Sequence, residues 1–583
     1  MKTLLGYFKN YKGRSVLGPL FKLLEATFEL LVPIVVGLIV DKGIARGDTA
    51  YITWMCALLA LFGLVGLLFS VTAQYFAART ATGVSADIRK DLFRKIQSLS
   101  YRDIDRLGAS TMLTRMTSDV DRFQSGVNLA LRLFLRSPFI VFGAAITACF
   151  IDASLVWVFF VAIAALAAVV FAVMFICMPL YKSAQEKLDT VLLSTRENLT
   201  GARVLRAFCR EDDERELFNA RNEKLTKSRK FVGAIAAITN PLTFVLINAA
   251  IILLLYTGAL RVDGGMLSQG SVLALYNLMG QILIELIKLA NLIVTVTKAA
   301  ACGGRISAVL TMQPSLQYAQ ENEGVKTDEA DKMDKTDDNF VVFDNVTMRY
   351  TSAADDALSN LSFTVKRGET VGVIGGTGSG KTTLVHLIPH FYDIQNGAIF
   401  VDGKDVRLQS EQKGLRNRIG IVPQKAVLFK GTIRENLLWG KQDATDEELM
   451  QAARIAQAAD FIEEKGGLDA PVMQGGKNFS GGQKQRLTIA RALVRRPDIL
   501  ILDDSSSALD YATDAALRKQ IRALDTTTFI VAQRASSVRD ADKIIVLDDG
   551  KAVGIGTHET LLKTCEVYRE IYRSQYGDKG EAV

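Results

Sequence analysis

The sequence predicts a two-part chain: an all-α transmembrane domain of six helices with long cytoplasmic extensions, followed by an α/β domain built on a phosphate-binding loop. Three observations predict it. Six long, weakly charged apolar runs precede residue 300, a polar acidic stretch follows them, and beyond it a glycine-rich loop joins an apolar strand to a helix. At 583 residues, 49% hydrophobic and a mean hydropathy of +0.19, the chain is too apolar for an ordinary soluble enzyme.

The N-terminal stretch sets Lys2, Lys9, Lys12 and Arg14 beside Leu4, Leu5, Tyr7 and Phe8, a pattern that fits an amphipathic elbow lying along a membrane. Apolar runs follow at about Leu17 to Val40, Ile52 to Phe76, Leu129 to Ile151, Leu155 to Pro179, Gly233 to Leu260 and Val272 to Val296. Each is long enough for a hydrocarbon core of about 30 Å. The first is too long for a signal peptide, and no small-residue cleavage site follows a short apolar core. Basic residues crowd Arg79 to Arg122 and Lys182 to Lys230, whereas Ile151 to Ser154 and Arg261 to Gly270 carry few. By the positive-inside tendency both termini and the two long loops are cytoplasmic. Topology thus accounts for the net charge of +7, and no basic and aromatic stripe points to nucleic acid.

Residues Gln313 to Asn339 are polar, acidic and poor in aromatics, and cannot bury enough apolar area to order themselves. They set the expected boundaries: a membrane domain over 1–311, a linker over 312–339 and a second domain over 340–583. The cysteines at 56, 149, 177, 209, 302 and 565 show neither metal spacing nor a disulfide framework.

In the second domain an apolar strand, Glu369 to Gly375, feeds Gly375-Gly376-Thr377-Gly378-Ser379-Gly380-Lys381-Thr382 and a helix from Thr383 to Leu387, the P-loop pattern in its strand, loop and helix context. The glycines let backbone N–H groups turn around a phosphate, the helix N-terminus favours negative charge, Lys381 reaches the outer phosphates, and Thr382 offers a hydroxyl to Mg²⁺. The apolar run Asp498 to Leu502 fits a buried parallel strand and delivers Asp503 and Asp504 at its carboxyl end, where ligands meet open α/β sheets. Asp503 is therefore the expected Mg²⁺ carboxylate.

Between these lie Val422-Pro423-Gln424 and Phe479-Ser480-Gly481-Gly482-Gln483-Lys484-Gln485-Arg486. With them the chain resembles an ABC transporter half-subunit of the exporter type. The resemblance makes Ser480, Gly481, Gly482 and Gln483 the family signature, which acts in trans on a partner's ATP. It makes Ser507 to Asp510 the D-loop, with Asp510 its acid, and Gln424 the Q-loop glutamine at the nucleotide and its Mg²⁺. It makes Tyr350 the aromatic residue that stacks on adenine and Thr383 part of the ATP-binding helix. Tyr101 to Asp105 and Ala207 to Glu211 resemble coupling helices, near 101–106 and 207–214, that press on an ATP-binding domain. One membrane domain and one nucleotide domain make half a transporter, so the implied partner is a second half-subunit. The implied cofactors are ATP and Mg²⁺, and the implied place is the cytoplasmic membrane of a bacterium.

Two positions depart from the family pattern. Asp504 stands where a glutamate usually activates the attacking water, and is one methylene shorter. Gln533, after the strand Thr528 to Ala532, stands where a switch histidine is usual; the chain's histidines are His386, His390 and His558. Glutamine hydrogen-bonds but cannot change charge near neutral pH. With an intact signature beside two altered catalytic positions, the chain resembles the degenerate-site subunit of bacterial heterodimeric multidrug exporters. Such a subunit would export a hydrophobic or amphiphilic drug, lipid or peptide, with its own site binding ATP but hydrolysing it poorly. A homodimeric exporter with a slow ATPase and a non-pumping, ATP-gated regulator remain as alternatives.

Charges inside the apolar runs are expensive and should face a cavity or pair with one another. Lys22, Glu25 and Glu29 lie on the first run, Glu285 and Lys288 on the sixth. Glu29 and Glu285 are the candidate cavity carboxylates, which would favour cationic or amphiphilic cargo.

Overall fold

The computed structural model describes residues 2–316, 339–350, 355–408 and 414–576. They form two compact units, one of residues 1–98 and 107–312, the other of 99–106 and 313–583. Most of the acidic linker expected over 312–339 lies outside the described residues.

The first unit is all helical, as its apolar runs predict. Among the described residues six helices are long and apolar enough to cross a membrane: α1 Thr3–Ile44, α2 Thr49–Gln97, α3 Ala109–Ile151, α4 Ala153–Thr200, α5 Glu211–Asp263 and α6 Gln269–Leu310. The shortest has 42 residues, well beyond the roughly 20 that span a bilayer, so the helices continue past their apolar runs. Their core joins Ala26, Leu30, Ile140, Phe159, Leu254, Leu275 and Leu278. Small residues let two helices close up: a Cβ on Gly37 of α1 would lie 2.6 Å from the Gly270 carbonyl oxygen of α6. At the same crossing Asp41 accepts from the Gly270 N–H at 2.7 Å and the Ser268 hydroxyl at 2.5 Å, satisfying the start of α6. The short helix between α4 and α5 is Ala202–Ala207, earlier than the 207–214 expected, because the backbone turns at Cys209, whose φ is +51°.

The intramembrane carboxylates are paired. Glu285 is 2% exposed. It accepts from Arg136 of α3 at 2.7 Å, Ser137 at 2.8 Å and Lys288 at 2.8 Å. A carboxylate in hydrocarbon must be paired, and these donors outcompete an open position. Arg136 also donates to Glu29 at 2.6 Å, so one guanidinium ties α1, α3 and α6 together. The Glu29 side chain keeps 40% of its surface exposed. Lys22 pairs with Glu25 and bonds Ser70 at 3.1 Å.

The second unit is α/β. Its strands are β1 Asn339–Met348, β2 Leu358–Lys366, β3 Thr370–Gly375, β4 Asn396–Val401, β5 Lys404–Asp405, β6 Ile419–Val422, β7 Gly431–Thr432, β8 Pro471–Val472, β9 Ile499–Asp503, β10 Thr527–Val531, β11 Lys543–Asp548 and β12 Lys551–Gly556. The main sheet runs β12-β11-β3-β10-β9-β6, parallel except at β12, and an antiparallel sheet runs β2-β1-β4-β5. β9 and β10 are buried at every position, which is why, up to Asp503 at the end of β9, they read as apolar or β-branched runs. β10 lies between β3 and β9, so three adjacent parallel strands end side by side. That edge carries the loop after β3, Gln533 after β10, and Asp503 and Asp504 at the end of β9.

Candidate functional site

The loop after β3 leads into α7, Lys381–Leu387. Gly378 and Gly380 have φ of +86° and +94°, a region only glycine enters cheaply. A Cβ on Gly380 would lie 2.6 Å from the Ala357 carbonyl oxygen, and one on Gly375 2.1 Å from that of Leu547. Gly376, Thr377 and Gly378 form the exposed crown of the loop, while Ser379 is buried. The Lys381 ammonium donates to the Gly375 and Gly376 carbonyls at 2.9 and 2.5 Å, and burial lowers its pKa against the pull of Asp504 and Asp503.

Thr382 donates its hydroxyl to Asp503 at 3.0 Å. Burial pushes the Asp503 carboxyl up, opposed by that hydrogen bond and by His386, whose Nε2 lies 3.9 Å away. A glycine-rich loop, a lysine, and two hard oxygen ligands fit a nucleotide with Mg²⁺, which takes one or two carboxylates plus substrate phosphates. Among the described residues no group of three His, Cys, Asp or Glu would hold a metal alone.

Asp504 follows directly, with φ of +48° and 7% exposure. Its N–H bonds the Val531 carbonyl at 3.0 Å, which fixes it to the end of β10. Two amides meet one carboxylate oxygen: Gln533 Nε2 donates to Asp504 Oδ2 at 2.9 Å and Gln424 Nε2 at 3.2 Å. A cavity of about 600 Å³ opens before this group, walled by Asp504, Ser506, Ser507, Gln533 and Arg534 among others.

On the other side, the Tyr350 hydroxyl pairs with that of Thr383 at 3.0 Å, and its ring meets Tyr392 edge-on at 5.2 Å. The sequence did not single out Tyr392. Its hydroxyl donates to Asp105 at 2.6 Å, and Tyr101 stacks on Phe391 at 4.2 Å, so the segment Leu99–Arg106 packs within the second unit. An adjacent aromatic pair after the P-loop helix is the one local signal for it.

The signature residues stand apart. Ser480 caps α8, Gly481–Val494, accepting from the Gln483 N–H at 3.3 Å while the Gln483 side chain accepts from the Ser480 N–H at 3.1 Å. A Cβ on Gly482 would lie 3.0 Å from the Ala508 carbonyl oxygen. Asp510 caps α9, Tyr511–Arg522, through Thr513 N–H at 2.9 Å. The structure thus gathers Gly375 to Thr383, Gln424, Asp503, Asp504 and Gln533 into one site. Ser480 to Gln483 and Asp510 form helix starts of their own.

The family model described as the ABC transporter transmembrane region matches residues 15–286, and the one described as ABC transporter matches residues 358–507. An uncharacterized ABC transporter ATP-binding protein of Mycobacterium tuberculosis is 37% identical over 98% of this chain and 97% of its own length. The ATP-dependent lipid A-core flippase of Desulfotalea psychrophila is 31% identical over 89% of each chain. The solved structure of a bacterial Atm1-family ABC exporter with ATP bound has a TM-score of 0.80, covering 97% of this chain and 98% of that one at 24% identity, and so shares the fold.

Proposed function

Because the chain belongs to the ABC transporter family, as a multi-pass exporter half-transporter coupled to ATP, we propose that it is the degenerate-site subunit of a heterodimeric exporter. Its own P-loop would bind ATP and hydrolyse it slowly, while Ser480 to Gln483 complete a competent site on the partner.

The observation that carries this reading is the state of Asp504. Its Oδ2 accepts from both Gln533 and Gln424, at 2.9 and 3.2 Å, which fills the lone pairs of that oxygen. A general base must reach its proton within about 2.6 to 3.2 Å, directly or through one water. A short side chain with one oxygen already committed leaves little reach, and Gln533 has no proton to exchange. Binding does not depend on either group: the loop amides, Lys381, Thr382 and Asp503 supply it, with Tyr350 toward the base. Mg²⁺, when bound, supplies charge neutralisation between phosphates. In the signature, Ser480 caps the start of a helix of 14 residues, whose positive dipole end favours an anion, as a phosphate on a facing subunit requires.

Cargo follows from the membrane unit and from relatives. The flippase named above moves a lipid, and hydrophobic or amphiphilic drugs, lipids or peptides are the classes proposed here. The basic residues crowding Arg79 to Arg122 and Lys182 to Lys230 favour the cytoplasmic side for both long loops and the termini in this reading. The test separates binding from turnover: the purified chain should bind Mg-ATP in equilibrium titration yet release phosphate very slowly. Brisk turnover by this chain alone overturns the reading. Flux in vesicles sustained by a non-hydrolysable nucleotide would instead mark a gate.

A further inference from the structure

The nucleotide cycle makes no use of a groove where the N-terminal segment lies against α2. It is an open groove of about 660 Å³ lined by Tyr11, Arg14, Tyr75, Arg79, Thr82 and Gly83, together with Ala78 and Ala86. No carboxylate lines it. Arg79 lies over the Tyr75 ring at 5.6 Å and bonds its hydroxyl, and among the described residues neither Arg79 nor Arg14 forms an ion pair. Two guanidiniums therefore share one groove with no ion-pair partner among the described residues.

The groove is built by specific contacts. Tyr7 donates to Asp91 at 2.8 Å and Tyr11 to Asp87 at 3.1 Å, which ties the N-terminal segment to α2; Asp91 also pairs with Arg94 at 3.0 Å. Gly83 makes the approach possible, since a Cβ there would lie 2.5 Å from the Tyr11 ring.

Its depth is set by the apolar runs. The first begins at Leu17 and the second ends at Phe76, so Arg14 and Arg79 each lie one turn outside hydrocarbon, at headgroup level. Leu64, Leu68, Val71 and Tyr75, between 52% and 66% exposed, continue at helical spacing into Arg79, Thr82 and Ala86. One stripe of α2 thus reads apolar, then aromatic, then basic, in the order of an acyl chain, a glycerol backbone and a phosphate.

We propose that this groove binds an anionic phospholipid of the leaflet nearest the N-terminal segment, its phosphate held by Arg14 and Arg79 and an acyl chain along Leu64, Leu68 and Val71. Forked guanidinium donors suit phosphate oxygens, and a cationic pair at a membrane surface favours an anionic headgroup over a zwitterionic one.

Native mass spectrometry of the full chain in detergent, titrated with phosphatidylglycerol or phosphatidylcholine, tests this. The chain should retain phosphatidylglycerol preferentially, and the double variant Arg14→Gln, Arg79→Gln should weaken that binding roughly ten- to thirtyfold, the effect of two cationic groups at a surface. Phosphatidylcholine binding should not change, nor should Lys12→Gln, outside the groove, alter either. If the double variant does not accumulate folded, Thr82→Glu, which sets an anion between the arginines, should give the same loss. Equal retention of both lipids, wild-type affinity in the variants, or displacement by millimolar inorganic phosphate would each overturn the proposal, the last by marking a site for free phosphate.

Discussion

Replacing Asp504 with glutamate should raise hydrolysis at this chain's own P-loop. The aspartate carboxylate is held by two amides on Oδ2, at 2.9 and 3.2 Å, on a backbone with φ of +48°. An added methylene advances the carboxylate by about 1.5 Å, the length of one carbon–carbon bond. The cavity of about 600 Å³ in front gives it somewhere to go, so the overpacking penalty of a closed core should not apply. An ångström of misplacement can cost about a hundredfold in rate, and a positioned base contributes about 10²- to 10⁴-fold. With Gln533 unchanged the lower figure is the expectation, a gain of about a hundredfold. The assay is steady-state phosphate release from the assembled transporter, with the partner's catalytic glutamate replaced so that only this site turns over. An unchanged or lower rate in a variant that still binds ATP would refute the reasoning, because reach would not be what limits the site.

Arg136→Met removes one of three donors to the buried Glu285 carboxylate, leaving Lys288 and Ser137, and should cost about 1.5 to 3 kcal/mol, the worth of a hydrogen bond to a charged group, read as a lower melting temperature in detergent. Adding Glu285→Met should recover much of it, and a single variant that melts like the parent would contradict a structural role for the cluster. Tyr392→Phe removes the hydroxyl that bonds Asp105 at 2.6 Å, an interaction to a charged group worth about 1.5 to 3 kcal/mol. Transport per ATP hydrolysed should fall in vesicles while ATP affinity holds; an unchanged ratio would count against coupling through that contact. Glu29→Gln should weaken transport of cationic cargo selectively, and equal transport of every cation tested would remove Glu29 from the path.

The nucleotide site was legible because its chemistry is written in contiguous backbone. Gly375 to Thr382 must be adjacent in sequence to wrap a phosphate, and Asp503, Asp504 and Gln533 are found by counting from the ends of apolar strands. The strand expected at Asp498 to Leu502 is Ile499–Asp503, a one-residue offset at a charged boundary that composition cannot resolve. The six spans were equally plain, since hydrocarbon demands long apolar runs. Pairings across the fold were not. Arg136 lies 107 residues from Glu29 and 149 from Glu285, and periodicity tells which face a charge takes but not which partner meets it. For the same reason the Glu285 pairing to Arg136 could not be read from the sequence. Tyr392 and Asp105 are 287 residues apart, and neither carries a motif that names the other. The second short helix read late because the turn at Cys209 needs a left-handed backbone that its sequence does not announce.

The central claim is that two unlike half-transporters share the work. Mg²⁺-dependent ATPase activity and particle size, measured for this chain with and without its genomic neighbour, test it most directly when the neighbour's catalytic glutamate is also replaced. The account predicts activity only in the two-chain complex and its loss with the partner glutamate. A dimer of this chain alone that hydrolyses ATP briskly would make Asp504 a competent base and contradict it.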